Sequence, residues 1–228
     1  CSERGARVIV GTGTNDTRTT IAATQAAAET TGVVGALVVV PYYVRPSEAG
    51  IVAHFKAVAE ASPIPLVLYN IPVRTGRGLG PAGMLELAHT PNVAGVKQAV
   101  GAVDTDTLEI LAGAPSGFGV LGGDDTIHFP LLCMGGIGGI IASAHVCTER
   151  WVAMIECGLA GKIEDGRAHS EALLPIAISG FTEPNPAVFK GALHAKARIA
   201  TPDLRLPMTN ASPASVDRLL EAIEHASR

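Results

Sequence analysis

The sequence predicts an α/β fold: a (β/α)8 TIM barrel with six of its eight strand–helix units present, followed by a C-terminal helical subdomain. Three observations carry this. Short β-branched runs alternate with alanine-rich stretches of helical pattern from Arg7 to beyond Ser143, and strict alternation implies a parallel sheet with right-handed crossovers. The runs are continuously apolar, as in Gly35-Ala36-Leu37-Val38-Val39-Val40, which suits strands covered on both faces. Polar residues stand at the carboxyl ends of successive strands, where a barrel places its chemistry. No Gly-rich dinucleotide or phosphate loop follows a strand; Gly11-Thr12-Gly13 is too weak a match for an open doubly wound sheet.

The elements follow in order. Arg7–Gly11 reads as the first strand, with Asn15 or Asp16 capping a helix that runs to about Thr31 and ends at Gly32. Gly35–Val40 is the second strand, and Pro46-Ser47-Glu48 opens a helix to about Ala61. Pro65–Tyr69 is the third, before a helix near Pro81–His89. Val93–Lys97 is the fourth, with a helix near Asp104–Ala112, and Gly117–Leu121 the fifth, with a helix from Asp124 to Met134. Gly138–Ser143 is the sixth. Helices are then expected near Thr148–Leu159, Glu164–Ser179, Pro186–Ala197 and Ser212–Ser227, more than the last unit needs. The expected division is therefore residues 1–160 as barrel and 161–228 as helical subdomain. At roughly 30 residues per unit, the two units short of eight amount to about 60 residues. The expectation is a chain whose N-terminal quarter was removed, lost or not recorded, because an open sheet edge in their place would be adhesive.

Composition narrows the function. Among 228 residues 47% are hydrophobic and 17% charged, which excludes disorder. A net charge of −4 offers no basic stripe to a nucleic-acid backbone. No uninterrupted apolar segment reaches the ~18 residues of a membrane helix. The four cysteines, Cys1, Cys133, Cys147 and Cys157, lack metal spacing and read as buried or half-buried thiols of a reducing cytoplasm. The seven histidines show neither ligand spacing nor a Ser-His-Asp arrangement, so neither metal nor cofactor is expected.

Lys97 is the sharpest chemical feature. In Val93-Ala94-Gly95-Val96-Lys97, alternation puts Val93, Gly95 and Lys97 on one face, with small Gly95 leaving room at the strand's carboxyl end. A lysine among apolar neighbours is driven toward the neutral amine that attacks carbonyls; the plain alternative is a lysine reaching to solvent. Tyr69, ending Leu68-Tyr69-Asn70, would face the same opening and could relay protons, or simply pack in the mouth. Tyr42-Tyr43 follow another strand, a place for either a subunit anchor or a catalytic phenol. Arg74, on the loop just past Tyr69, suits a bidentate grip on a carboxylate, or a surface ion pair. Gly122-Gly123-Asp124-Asp125 and Gly135-Gly136-Ile137-Gly138-Gly139 permit close backbone approach, and either could be turn chemistry alone.

Taken with Pro41-Tyr42-Tyr43-Val44-Arg45-Pro46, Tyr69-Asn70-Ile71-Pro72-Val73-Arg74-Thr75-Gly76, Gly95-Val96-Lys97, Gly123-Asp124-Asp125, Glu183-Pro184-Asn185-Pro186 and Leu204-Arg205-Leu206-Pro207-Met208, the chain resembles the dihydrodipicolinate synthase family nearly end to end. The resemblance implies a class I pyruvate aldolase in which Lys97 forms a Schiff base with pyruvate. The derived enamine attacks aspartate 4-semialdehyde, giving 4-hydroxy-tetrahydrodipicolinate for lysine and diaminopimelate biosynthesis. It implies that Tyr69 relays protons, that Tyr43 reaches a neighbouring subunit's site, and that Arg74 holds the semialdehyde carboxylate. Gly123 and Ile140 would line the pyruvate pocket through backbone atoms. A cytoplasmic homo-oligomer, a dimer of dimers, is implied too.

The family's Gly-Thr-Thr-Gly-Glu-Ser loop, with its relay threonine, is missing from the sequence, and Gln98 stands where an acidic residue often follows the lysine. Thr19 occupies the place of a glutamate that holds the effector in lysine-inhibited members, which implies weak or absent lysine feedback. The rival readings are N-acetylneuraminate lyase or a 2-keto-3-deoxy sugar acid aldolase, which share the lysine and tyrosine but tend to have other residues at the place of Arg74. A non-catalytic truncated barrel serving as a binding partner is the remaining alternative.

Overall fold

The computed structural model describes residues 4–227. Six parallel strands lie side by side in chain order: β1 (Val8–Gly11), β2 (Val33–Val39), β3 (Leu66–Asn70), β4 (Val93–Gln98), β5 (Gly119–Gly122) and β6 (Gly138–Gly139). Sequential order with helical crossovers is the barrel pattern. The intervening helices are α1 (Thr17–Ala28), α2 (Glu48–Ala61), α3 (Pro72–Thr75), α4 (Pro81–Ala88), α5 (Thr105–Gly113) and α6 (His128–Cys133). After a 3-10 turn at Ser143–His145 come α7 (Thr148–Leu159), α8 (Ile163–Ser179), α9 (Ala187–Ala195) and α10 (Pro213–Ala226).

Local chemistry explains most boundaries. Asp16 caps α1 by accepting from Thr19 N, Ser47 caps α2 through Gly50 N, Asp104 caps α5 through Thr107 N, and Ser212 caps α10 through Ser215 N. Each side-chain oxygen satisfies a backbone donor that the helix itself cannot.

Two compact units result: the chain up to Asp124 with Met134–Gly139, and Asp125–Cys133 with the chain from Ile140 onward. In the first, alternate residues of the strands (Ala36, Val38, Leu66, Leu68, Val96 and Val120) turn toward Ile51, Phe55 and Val58 of α2, Met84 and Leu87 of α4 and Ile110 of α5. Burying each large side chain there stabilises by ~1.5–3 kcal/mol. In the second, Trp151, Met154, Leu173, Ile176, Phe189, Leu219 and Ile223 form a helical core.

Four expectations are corrected. The helix expected from Asp124 begins only at His128, because Asp124 and Asp125 are engaged elsewhere: Asp124 Oδ2 accepts from Gly101 N at 2.8 Å, and Asp125 Oδ1 accepts from Ser143 N at 2.7 Å. The strand expected to reach Ser143 stops at Gly139, since that bond holds Ser143 at the head of the 3-10 turn. Arg74 lies on a one-turn helix rather than a loop, with Pro72 at its start and left-handed Gly76 closing it. Cys133 is exposed, not buried; Cys147 and Cys157 are half-buried, and Cys1 lies outside the described residues.

Candidate active site

The site is built on the face of the sheet turned away from the helices. Pairing sets Val39 opposite Tyr69, Tyr69 opposite Lys97, and Lys97 opposite Leu121, so these four form one row across β2 to β5. The next row toward the strand starts is Leu37, Val67, Gly95 and Gly119. Within the upper row Lys97 Nζ lies 4.2 Å from the centroid of the Tyr69 ring. At that distance the negative face of the ring attracts the ammonium and holds it beside the phenol's own strand end. Both residues are half-buried, shielded from bulk water yet reachable.

Gly123 adjoins the same lysine. Its N–H donates to Gln98 O at 2.8 Å, closing β5 against the end of β4. A Cβ placed on Gly123 would sit 2.7 Å from Ala99 Cβ and 2.9 Å from Lys97 Cε. Those separations are closer than carbon atoms tolerate, so glycine keeps the flank of Lys97 open.

Behind this row, on the helix side, runs a network that sequence reasoning missed. Asn70 and Gln98, each next to a member of the Tyr69–Lys97 pair, are paired in register and almost wholly buried, at 2% and 5% exposure. Asn70 Nδ2 donates to Gln98 Oε1 at 3.0 Å and to Leu79 O at 3.2 Å, while Asn70 Oδ1 accepts from Leu79 N at 3.1 Å. Gln98 Nε2 donates in turn to Thr107 Oγ1 at 3.1 Å. Sequence does hold a signal for this: two amides, Asn70 and Gln98, each follow a candidate catalytic residue at a strand end. Only the register shows that they meet.

The remaining candidates stand further out. Arg74 is exposed on α3 (Pro72–Thr75). Tyr43 is 87% exposed, and its backbone is left-handed at φ 70°. The segments that carry them are joined, since Arg45 Nε donates to Gly76 O at 2.9 Å. Ile140 follows β6 and belongs to the second unit. Asn15 is exposed beside α1, and Thr19 Oγ1 is bonded to Asp16 Oδ1 at 2.7 Å. Among the described residues no group of three or more His, Cys, Asp or Glu side chains could hold a metal ion, and no helix is long and apolar enough to cross a membrane.

The sequentially ordered parallel sheet follows the (β/α)8 barrel plan, and the chain's relatives make its class an aldolase-type lyase. The chain belongs to the dihydrodipicolinate synthetase family, whose profile matches residues 2–226. It is 41% identical over 219 residues to the 4-hydroxy-tetrahydrodipicolinate synthase of Moorella thermoacetica, covering 96% of this chain and 74% of that protein. Among solved structures it resembles the chloride-inhibited dihydrodipicolinate synthase of Acinetobacter baumannii complexed with pyruvate, at 32% identity and TM-score 0.93, covering 99% of this chain and 77% of that one. It also resembles the enzyme from Cyanidioschyzon merolae with lysine bound, at 34% identity and TM-score 0.90, covering 97% and 74% of the two chains.

Proposed function

We propose that the protein condenses pyruvate with aspartate 4-semialdehyde through a Schiff base on Lys97. The observation that carries this is the contact between Lys97 Nζ and the Tyr69 ring at the carboxyl end of paired strands. In this reading the Lys97 ammonium first gives up a proton, the neutral amine adds to the C2 carbonyl carbon of pyruvate, and water leaves as the imine forms. Loss of a methyl proton gives the enamine. Its carbon bonds to the aldehyde carbon of the semialdehyde, whose oxygen takes up a proton. The amino group of the bound chain then attacks the imine carbon and expels Lys97, closing the ring of 4-hydroxy-tetrahydrodipicolinate. Each of these proton movements needs a donor and acceptor within reach of the reacting atoms.

Tyr69 supplies that relay, supported by its place beside Lys97. Arg74 grips the semialdehyde carboxylate, and its exposure on a one-turn helix near the strand ends leaves the guanidinium available for a bidentate contact. Gly123 gives pyruvate its space by lacking a Cβ. Tyr43 serves the site of a neighbouring subunit, a reading supported by its exposure and by the apolar Tyr42 and Val44 around it. The chain is therefore proposed to act as a cytoplasmic homo-oligomer, a dimer of dimers, with residues 1–160 as barrel and 161–228 as helical subdomain. The family placement and the relatives' names favour this reading over a sialic-acid or sugar-acid aldolase and over a non-catalytic barrel.

The test is intact-protein mass after incubation with pyruvate and borohydride, for the wild type and Lys97→Ala. A pyruvyl adduct on the wild type alone supports the assignment. An adduct that survives the substitution, or none on the wild type, removes it.

A further inference from the structure

The segment that follows Arg74 is held by side chains at residues 76, 79 and 80. Gly76 O accepts from Arg45 Nε at 2.9 Å, and Gly80 N donates to Glu48 Oε1 at 2.8 Å. Asn70 binds both the N–H and the C=O of Leu79. The two outer ties fit glycines closely. A Cβ on left-handed Gly76, at φ 71°, would stand 3.2 Å from Arg45 Nε and 3.7 Å from its Cδ, and one on Gly80 would stand 3.0 Å from Glu48 Oε1. Arg45 itself is left-handed at φ 47°, a conformation that a non-glycine residue keeps only where its surroundings impose it.

The helix bearing Arg74 has four residues, a single turn with no stability of its own. Its direction depends on what grips its two ends. β3 leads directly into it through Ile71, whose carbonyl accepts from Thr75 Oγ1 at 2.9 Å. The far end is gripped at Gly76 by Arg45 and, four residues on, at Gly80 by Glu48. Both gripping residues enter from the stretch that also carries Tyr43.

We propose that Arg45 and Glu48 are positioning residues for Arg74: they fix the one-turn helix so that its guanidinium meets the acceptor's carboxylate. The role rests on the Schiff-base reading above and concerns only its second substrate. Neither residue touches pyruvate or the lysine in this account. Both are exposed, so their removal leaves the core intact.

The experiment uses the full chain as Arg45→Ala, Arg45→Lys, Glu48→Ala, Glu48→Gln, Arg74→Ala and Arg45→Ala/Arg74→Ala. Three quantities are read: borohydride-trapped pyruvyl adduct, KM for each substrate, and kcat. Arg45→Ala and Glu48→Ala should each raise KM for aspartate 4-semialdehyde about fivefold, the factor that goes with one lost hydrogen bond. Pyruvate KM and adduct trapping should stay at wild-type values. Glu48→Gln retains the accepting oxygen and should behave as wild type, and Arg45→Lys should recover part of the loss. In the Arg74→Ala background, Arg45→Ala should add nothing, since the group it positions is gone. An unmoved semialdehyde KM in Arg45→Ala overturns the role. So does a parallel fall in adduct trapping, or an Arg45 effect that multiplies that of Arg74. A wild-type chain that traps no pyruvyl adduct removes the Schiff-base reading and this role with it, whereas trapped adduct with unmoved KM removes the role alone.

Discussion

In the first unit the buried amides and hydroxyls are wired together: Asn70 to Gln98 and Leu79, Gln98 to Thr107, Thr12 to Thr24 at 2.8 Å, and Thr75 to the carbonyls of Ile71 and Arg77. His54 is half-wired, with Nδ1 on Thr17 Oγ1 at 2.9 Å and no partner for Nε2. The second unit bonds buried Ser143 N to Asp125 Oδ1 at 2.7 Å but leaves more of its buried polar atoms without partners. No hydrogen bond reaches either ring nitrogen of His128, the indole nitrogen of Trp151 or Oδ1 of Asn185. A buried polar group without a partner forfeits ~1–3 kcal/mol, and a bonded one does not. The first unit thus spends its polar groups on geometry, holding the strand ends that carry Tyr69 and Lys97. The second packs helices and tolerates neutral orphans.

The largest effect expected from this contrast lies in the apolar half of the first unit. Phe55 is fully buried in the layer between α2 and the sheet. Phe55→Ala should lower unfolding free energy by ~3–5 kcal/mol in urea titration. A loss under ~1 kcal/mol would mean that this layer does not carry the sheet.

The second effect comes from His128. Burial pushes its pKa from 6.5 down to about 4, so the folded chain keeps the ring neutral where the unfolded chain protonates it. In that window the unfolded state binds more protons. The stability associated with the neutral ring is full above pH 6.5 and drains as pH falls toward about 4. Going from about pH 7.5 to about pH 5 should lose ~2 kcal/mol on this account. His128→Leu, which removes the titrating ring, should flatten that slope in matched urea titrations. An unchanged slope would show that the acid sensitivity arises elsewhere.

A smaller effect sharpens the wiring itself. Gln98→Met keeps the volume but takes away one partner of Asn70 Nδ2 and one of Thr107 Oγ1. Since Asn70 Nδ2 retains Leu79 O, the stability loss should be only ~1 kcal/mol. The rate of borohydride-trapped adduct should nevertheless fall, because the ends of β3 and β4 lose their cross-link. Unaltered trapping would make the network a matter of stability alone.

These regions differ in how far the sequence exposes them. The caps at Asp16, Ser47, Asp104 and Ser212 are local, three residues from the N–H they bind, and so are visible in one dimension. So is the alternation that sets Lys97 on its face. The Asn70–Gln98 bond spans 28 residues and depends on strand register, and the Arg45–Gly76 bond spans 31 and joins two left-handed residues, neither of which periodicity reveals. The truncated α6 and β6 have the same origin: Asp125 reaches Ser143, 18 residues away. The family's motifs pointed to Lys97, Tyr69, Tyr43, Arg74, Gly123 and Ile140, and of these the fold brings Lys97, Tyr69 and Gly123 together in one row and its flank.

The smallest expected effect is an absence of response. Wiring in the first unit extends to α1, where Thr14 Oγ1 meets Thr20 Oγ1 at 2.9 Å and the Thr19 hydroxyl is committed to Asp16. Asp16 is the acidic side chain nearest in sequence, and it accepts from both the N–H and the hydroxyl of Thr19, which hold its carboxyl below the usual range. An incoming ammonium there would meet a carboxylate already occupied as a helix cap, and a threonine oxygen carrying no charge. Charge-assisted bonds are roughly twice as strong as neutral ones, so replacing a carboxylate by a hydroxyl removes the stronger half of such a site. Sub-millimolar lysine should therefore change the condensation rate by less than about twofold. Thr19→Glu should restore a free carboxylate and with it lysine sensitivity in the same assay. Strong inhibition of the wild type would show that the effector amine is held by groups other than position 19, and that the hydroxyl wiring of α1 is no barrier to it.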